Sequence, residues 1–232
     1  KLLFCKKPIL IEKPLHDNYK VLKKILGNKK INLNNKAIGY NRRNYKIINF
    51  VKKNIDLNKI NHVDVNISEN IQYLKKKYKS YFYKNFLHIG SSSHIIDLLF
   101  YIFGDLKIIK KWNKNFSVSI VSMTKKKFPI FIKINHTDSE SPYIKIRFNN
   151  NYMWEISPLE NLKIYRGNKI IKSTNNYFKR KYIPKIISTK NESNNMRPGF
   201  FLQMKNFAKG DFRYLCKPKE NFKLIKFFNQ II

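Results

Sequence analysis

Two short stretches of this chain carry residue types that can manage protons beside a bound substrate. The first is Pro8-Ile9-Leu10-Ile11-Glu12-Lys13-Pro14, an apolar run that ends in a lysine and a proline. It reads as a buried strand that stops where proline removes a backbone donor. The carboxyl end of a parallel strand is where open α/β sheets bind ligands, and Lys13 falls there. The second stretch is Gly90-Ser91-Ser92-Ser93-His94-Ile95-Ile96-Asp97. On a helix, His94, Asp97 and Tyr101 share one face, while Ile95, Leu98, Leu99 and Ile102 supply the buried surface. The serines can cap the helix start, and unpaired N–H groups near His94 favour a neutral imidazole that can accept a proton. Taken singly, Glu12-Lys13-Pro14 fits a surface lysine before a turn in a lysine-rich chain. His94 fits a core histidine tied to Asp97 equally well.

The elements around these stretches follow from periodicity. Residues 9–11 form a strand, and 17–27 form a helix capped by Asp17 or Asn18, with Val21, Leu22, Ile25 and Leu26 on its apolar face. A second strand over 36–40 runs into Asn41-Arg42-Arg43, and helical spacing of Tyr45, Ile48, Val51 and Ile55 predicts a helix over 44–55. Val63, Val65 and Ile67 alternate with polar residues, the pattern of a half-exposed strand. Residues 70–86 read as an irregular excursion with some helix, and 91–103 as a helix closed by Gly104. Alternating segments follow at 107–112, 116–123, 128–136, 142–149, 151–157 and 161–166, with Asn150-Asn151 as a hairpin turn. The tail returns to helical spacing over 199–209 and 218–231. The fold class is therefore α/β followed by α+β, with strands 9–11 and 36–40 pairing in parallel and the segments from 61 to 166 forming one mostly antiparallel sheet.

Composition bounds the function. The 232 residues are 43% hydrophobic and 15% aromatic, which excludes intrinsic disorder for most of the chain. Two cysteines, Cys5 and Cys216, are too few for a disulfide scaffold and suit a reducing, cytoplasmic compartment. No apolar run reaches the roughly 18 residues a membrane span needs. Lys+Arg 48 against Asp+Glu 14 give a net charge of +34, which invites a nucleic-acid reading. Only 7 of the basic residues are Arg, and Ala occurs twice. Lys, Asn, Ile, Tyr and Phe dominate, all with codons rich in A and T. Compositional drift explains the charge better than a polyanion footprint, because the lysines spread along the whole chain. His88 and His94 stand six apart without a nearby cysteine, so no metal site is expected.

Considered together, the motifs resemble the Gfo/Idh/MocA family of NAD(P)-dependent oxidoreductases. Lys7-Pro8-Ile9-Leu10-Ile11-Glu12-Lys13-Pro14-Leu15 is similar to the family segment K-P-V-L-x-E-K-P-L. Ile38-Gly39-Tyr40-Asn41-Arg42-Arg43 is similar to V-G-F-N-R-R. Ser93-His94-Ile95-Ile96-Asp97-Leu98-Leu99 resembles G-x-H-x-x-D-L-L, and Arg197-Pro198-Gly199-Phe200-Phe201-Leu202-Gln203 with Phe207 resembles K-P-G-F-x-x-Q-x-x-x-F. The resemblance implies two domains: 1–43 as the end of a Rossmann unit for NAD or NADP, and 44–232 as a substrate and oligomerisation domain built on an open sheet. It implies a hydroxyl or keto carbon of a sugar, sugar nucleotide or polyol as the reacting centre. Lys13 and His94 would be catalytic, Glu12, Lys13 and Pro14 would face the cofactor, and Asp97, Asn41, Arg43 and Tyr101 would contact substrate.

Two departures stand out. The Gly-rich phosphate loop is absent from the chain, so the sequence reads as a fragment that keeps the last part of the nucleotide-binding half. Position 90, where many members carry an aspartate, is glycine, and the usual substrate contact is thereby in doubt. A catalytically silent relative with a structural role and a basic nucleic-acid-binding module are the competing readings. The enzyme reading requires Lys13 and His94 to converge, with Asp97 lining the same cleft or bracing the ring and Asn41 or Arg43 approaching from the second strand end.

Overall fold

The computed structural model describes residues 2–79, 90–115, 117–135, 140–171, 181–192 and 197–231. Near the amino end, β1 (Ile9–Ile11) and β2 (Lys36–Ile38) run parallel, with Ile9 opposite Lys36 and Ile11 opposite Ile38. The connection between them holds α1 (Tyr19–Gly27). Its first turn is closed by Asn18, whose Oδ1 accepts from the N–H groups of Lys20 at 2.9 Å and Val21 at 3.2 Å, the side-chain cap that leaves fewest unpaired donors. Lys36 is fully buried at the head of β2. Its Nζ donates to the carbonyls of Cys5 (2.7 Å) and Lys7 (2.9 Å) and to Asn35 Oδ1 (2.7 Å), so the interior ammonium is hydrogen-bonded on several sides.

After β2, a 3-10 turn at Asn41–Asn44 leads into α2 (Lys46–Asn54), which buries Ile47, Ile48 and Val51. The chain then enters an eight-stranded sheet through β3 (Ile60–Ser68). α3 (Ile71–Tyr78) and α4 (Gly90–Phe103) follow, and then β4 (Leu106–Lys114), β5 (Ser117–Thr124), β6 (Pro129–Asn135), β7 (Tyr143–Phe148), β8 (Tyr152–Ile156), β9 (Asn161–Ile171) and β10 (Lys181–Asn191). The strand order is β10-β9-β8-β7-β3-β6-β5-β4. Every pairing is antiparallel except that of β3 with β6, because β3 inserts between hairpins formed later in the chain. Asn151 takes the left-handed φ of 62° in the β7–β8 turn, a conformation asparagine tolerates better than most residues.

One face of this sheet is apolar and carries α4. Val63, Val65, Ile67, Ile120, Ile132 and Ile146 are buried there, and Ile95, Leu98, Leu99 and Ile102 of α4 join the same core. The tail forms α5 (Phe200–Ala208) and α6 (Pro218–Ile231). α6 packs against α1, α4 and β2, with Tyr19 stacked on Phe222 at 4.9 Å and Phe100 edge-on to Phe227 at 5.5 Å.

The fold differs from the periodicity reading in three places. α4 begins at Gly90, so the serines lie inside it and the carboxylate of Glu69 takes up the Ser91 N–H. β9 runs to Ile171, beyond the expected 161–166, and β10 was not foreseen at all. That outer ribbon is solvent-exposed along most of its length and carries Pro184, so no core-facing alternation marks it. Of the excursion over 70–86, α3 is helical, and residues 80–86 lie outside the described residues, as does His88.

A buried ion pair ties the two sheets together. Arg43, just after β2, donates from Nε to Asp97 Oδ2 at 2.8 Å and from Nη2 to Asp97 Oδ1 at 2.6 Å, with both side chains 2% exposed. Its Nη1 reaches Glu220 Oε2 of α6 at 2.9 Å. Asp97→Ala should therefore lower unfolding stability by about 3–5 kcal/mol, since it strands a buried guanidinium. Replacing both partners by Met and Leu should cost much less, and chemical denaturation of the two variants checks the contrast.

Candidate functional site

The carboxyl ends of β1 and β2 lie side by side, and each delivers basic residues to the start of α4. Lys13, two residues beyond β1, donates from Nζ to Ser93 Oγ at 3.0 Å. Arg42, in the turn after β2, donates from Nη2 to Ser91 Oγ at 3.2 Å. His94 follows Ser93 directly and packs edge-on against Tyr40 with ring centroids 5.6 Å apart. The structure thus brings Lys13 and His94 to one place, although they are far apart in sequence.

Electrostatics sets their protonation. Burial, reinforced by the charges of Lys13 and Arg42, pushes the His94 imidazole well below the usual histidine range, so the ring is neutral at physiological pH. Its Nδ1 is buried without a hydrogen-bond partner among the described residues. Burial also lowers the Lys13 ammonium to about 8, although Glu12 and Glu69 pull the other way. The pair therefore offers a positive donor and a neutral acceptor at neutral pH, the division a group handling a hydroxyl proton needs.

The other expected contacts fall into a second cluster. Asp97 and Arg43 spend their charges on each other, and Arg43 also stacks over Tyr101 at 5.0 Å. Tyr101 donates to Asn49 Oδ1 at 3.1 Å and has Lys52 Nζ 3.4 Å above its ring, which turns it toward α2. Asp97 does not brace the His94 ring: its oxygens are engaged by Arg43. Asn41 donates from Nδ2 to the Pro198 carbonyl at 3.1 Å. A side chain at Gly199 (φ 78°) would collide with the Asn41 carbonyl and come within 2.9 Å of Tyr45, so only glycine lets the two motifs pack this closely. Further along, Asn206 Nδ2 donates to Asn44 Oδ1 at 2.9 Å. Arg197-Pro198-Gly199-Phe200 and Asn41-Arg42-Arg43-Asn44 thus form one structural unit. Glu12 is exposed and Pro14 partly buried, both beside Lys13 in the chain.

Sequence reasoning missed Glu69 and Arg42. Glu69 stands at the carboxyl end of the alternating strand 63–67, the same position that drew attention to Lys13 on its own strand. Burial pushes its carboxyl upward, while hydrogen bonds from Ser91 and the charge of Arg42 act against that rise. Among the described residues no cluster of His, Cys, Asp or Glu is placed to hold a metal ion, and no helix is long and apolar enough to cross a membrane.

Lys13 is a destabilising residue by this geometry. Its folded-state value lies below the unfolded value of 10.5, so the penalty for an ammonium there is fully present below about pH 8 and vanishes as pH rises toward 10.5. Lys13→Met should raise stability at pH 7 by on the order of 2 kcal/mol. The gain should fade toward pH 10, which denaturation midpoints across that range check.

No protein-family model matches the chain, and no curated protein matches it by sequence. Solved structures do match in shape. UDP-N-acetylglucosamine 3-dehydrogenase GnnA from Acidithiobacillus ferrooxidans superposes with a TM-score of 0.66 at 12% identity, over 97% of this chain and 69% of that one. The WlbA dehydrogenase from Bordetella pertussis, in complex with NADH and UDP-GlcNAcA, gives 0.62 at 13% identity, over 97% and 68%. A super-repressor mutant of Gal80p from Saccharomyces cerevisiae gives 0.68 at 12% identity, over 97% and 69%. Paired parallel strands at one end and a broad, mostly antiparallel sheet at the other give this chain the fold of the Gfo/Idh/MocA-type dehydrogenases.

Proposed function

We propose that this chain works in an NAD(P)-dependent oxidoreductase acting on a hydroxyl or keto carbon of a sugar, sugar nucleotide or polyol. One observation carries the reading: Lys13 is bonded to Ser93 beside a neutral His94 whose Nδ1 is buried without a partner. A buried polar atom with no protein partner fits a site completed by a bound molecule. Residues 1–43 would form the nucleotide-facing part, with Glu12, Lys13 and Pro14 against the nicotinamide end of NAD or NADP. Residues 44–232 would form the substrate wall. The cofactor supplies the hydride chemistry when bound. The Lys13 ammonium donates to the substrate oxygen and polarises it. His94 takes the hydroxyl proton as the same carbon loses its C–H bond and electron pair as hydride, and returns the proton in the reverse direction. Arg43, Asp97 and Tyr101 hold the start of α2 and the body of α4 in place, and Asn41 holds the Arg197–Gly199 turn.

The likeness to GnnA, a UDP-N-acetylglucosamine 3-dehydrogenase, and to WlbA, a dehydrogenase in complex with NADH and UDP-GlcNAcA, supports that substrate class. The free Cys5 and Cys216 support residence in the cytoplasm. A second reading, a catalytically silent relative, is favoured by the likeness to the Gal80p repressor. Turnover decides between them. In the complete protein, Lys13→Met and His94→Phe should each lower kcat by roughly 10²–10⁴-fold. The parent's activity should fall above pH 8 as Lys13 loses its proton, and should persist to well below pH 6.5 because His94 stays neutral. Absence of NAD(P)-linked turnover with every sugar nucleotide and polyol supports the silent reading instead.

Self-association through the sheet completes the proposal. Trp112 and Phe131, which line one hollow on the large sheet, and Ile170, Tyr182 and Ile186 on its outer ribbon are each between 43% and 61% exposed, apolar surface suited to a second copy. Phe131→Lys should convert an oligomer to a smaller species in light scattering after gel filtration, with the melting temperature of the subunit little changed.

A further inference from the structure

Gly90 opens α4 with a left-handed φ of 57°, and any side chain there would overlap the carboxylate of Glu69. Glu69 reaches this point from the end of β3 and accepts from the Ser91 N–H at 2.5 Å. Within the same first turn, Ser91 takes the bond from Arg42 and Ser93 the bond from Lys13. A carboxylate thus fills the space of the absent side chain at position 90, in the midst of the basic residues that meet α4.

We propose that Glu69 and Gly90 act as one unit: the glycine clears the room, and Glu69 serves as the positioning carboxylate that fixes the start of α4 and supplies a counter-charge in the same turn that Lys13 and Arg42 reach through Ser93 and Ser91. The inference rests on the oxidoreductase reading for its catalytic meaning, and on the packing at Gly90 and the charge of Glu69 near Lys13 for the unit itself. A neutral cap would satisfy the Ser91 N–H equally well, so the charge, not the hydrogen bond, is the distinguishing feature. Removing it should make Lys13 less basic, because Glu69 is among the groups that hold its proton. Other charges facing Lys13 are Glu12, Arg42 and Lys77, and they are unchanged by the substitution.

The test uses Glu69→Gln, which keeps an oxygen acceptor for Ser91, and the relocated pair Glu69→Ala with Gly90→Asp. Aspartate tolerates a left-handed φ better than most residues. The readout is the acetylation rate of Lys13 by acetic anhydride at pH 7, resolved by peptide mass spectrometry, with circular dichroism as the check on folding. Glu69→Gln should raise the rate about two- to fivefold, the change in free amine expected at pH 7 when a group titrating at about 8 drops by half to one unit. The relocated pair should return it to within about twofold of the parent. Unchanged Lys13 reactivity in a folded Glu69→Gln variant overturns the proposal, and so does a relocated pair that is folded yet as reactive as Glu69→Gln. In the complete protein, turnover should fall tenfold or more in Glu69→Gln and recover in the relocated pair. The expected acetylation pattern without dehydrogenase turnover in any variant upholds the Glu69–Gly90 unit and sinks the oxidoreductase reading.

Discussion

The structure depends first on the buried contact of Arg43 with Asp97. A guanidinium and a carboxylate that are both excluded from water are tolerated only in near-ideal geometry, and here two parallel hydrogen bonds provide it. The pair joins the turn after β2 to the middle of α4, and Glu220 extends the link to α6. Because α4 lies on the large sheet, this one contact sets the small parallel sheet against the large one. Lys13 leaves β1, the strand paired with β2, and His94 stands three residues before Asp97. Their approach is therefore a consequence of where Arg43 and Asp97 meet.

That dependence explains why the charged residues of the region divide into two kinds. Arg43, Asp97 and Tyr101 are saturated by one another and by α2 and α6, which makes them framework. Lys13, Arg42, Glu69 and His94 gather at the start of α4, where the His94 Nδ1 is buried without a partner among the described residues, which leaves capacity for a bound molecule. The cost of this arrangement is visible in the protonation states. Burial works against both the Lys13 ammonium and the His94 imidazolium; the carboxylates of Glu12 and Glu69 moderate it at Lys13, while at His94 the charges of Lys13 and Arg42 add to it. Stability is given up where the site is, as expected of a group placed for chemistry and not for packing.

Much of this was legible from residue spacing. Ile9–Ile11, Lys36–Ile38 and the α1 connection were readable because apolar runs, an asparagine cap and Gly27 agree with one another. The alternation from Val63 to Leu162 revealed most of the large sheet for the same reason: each strand has one face on α4 or its neighbours. β10 was not legible, because Ile183, Ile186 and Ile187 face solvent and Pro184 interrupts the strand. Within the site, Lys13 and His94 could be picked out by their positions at a strand end and a helix start. The engagement of Asp97 by Arg43 could not, since spacing on a helix says which face a residue takes and nothing about the partner it meets. Glu69 was hidden for a related reason. Its significance lies in the empty volume above Gly90, which only the folded chain brings to it.

The central claim, that this site passes a hydride from a carbinol carbon while His94 holds the hydroxyl proton, is tested most directly by following the hydrogen itself. The complete protein is incubated with NAD or NADP and sugar nucleotides or polyols deuterated at the carbinol carbons, and the recovered nicotinamide is read by mass spectrometry. The account predicts one deuterium atom on the nicotinamide ring, transferred at least about 10²-fold more slowly when His94 is replaced by Phe. No transfer from any of these substrates, or transfer that His94→Phe leaves intact, would contradict it.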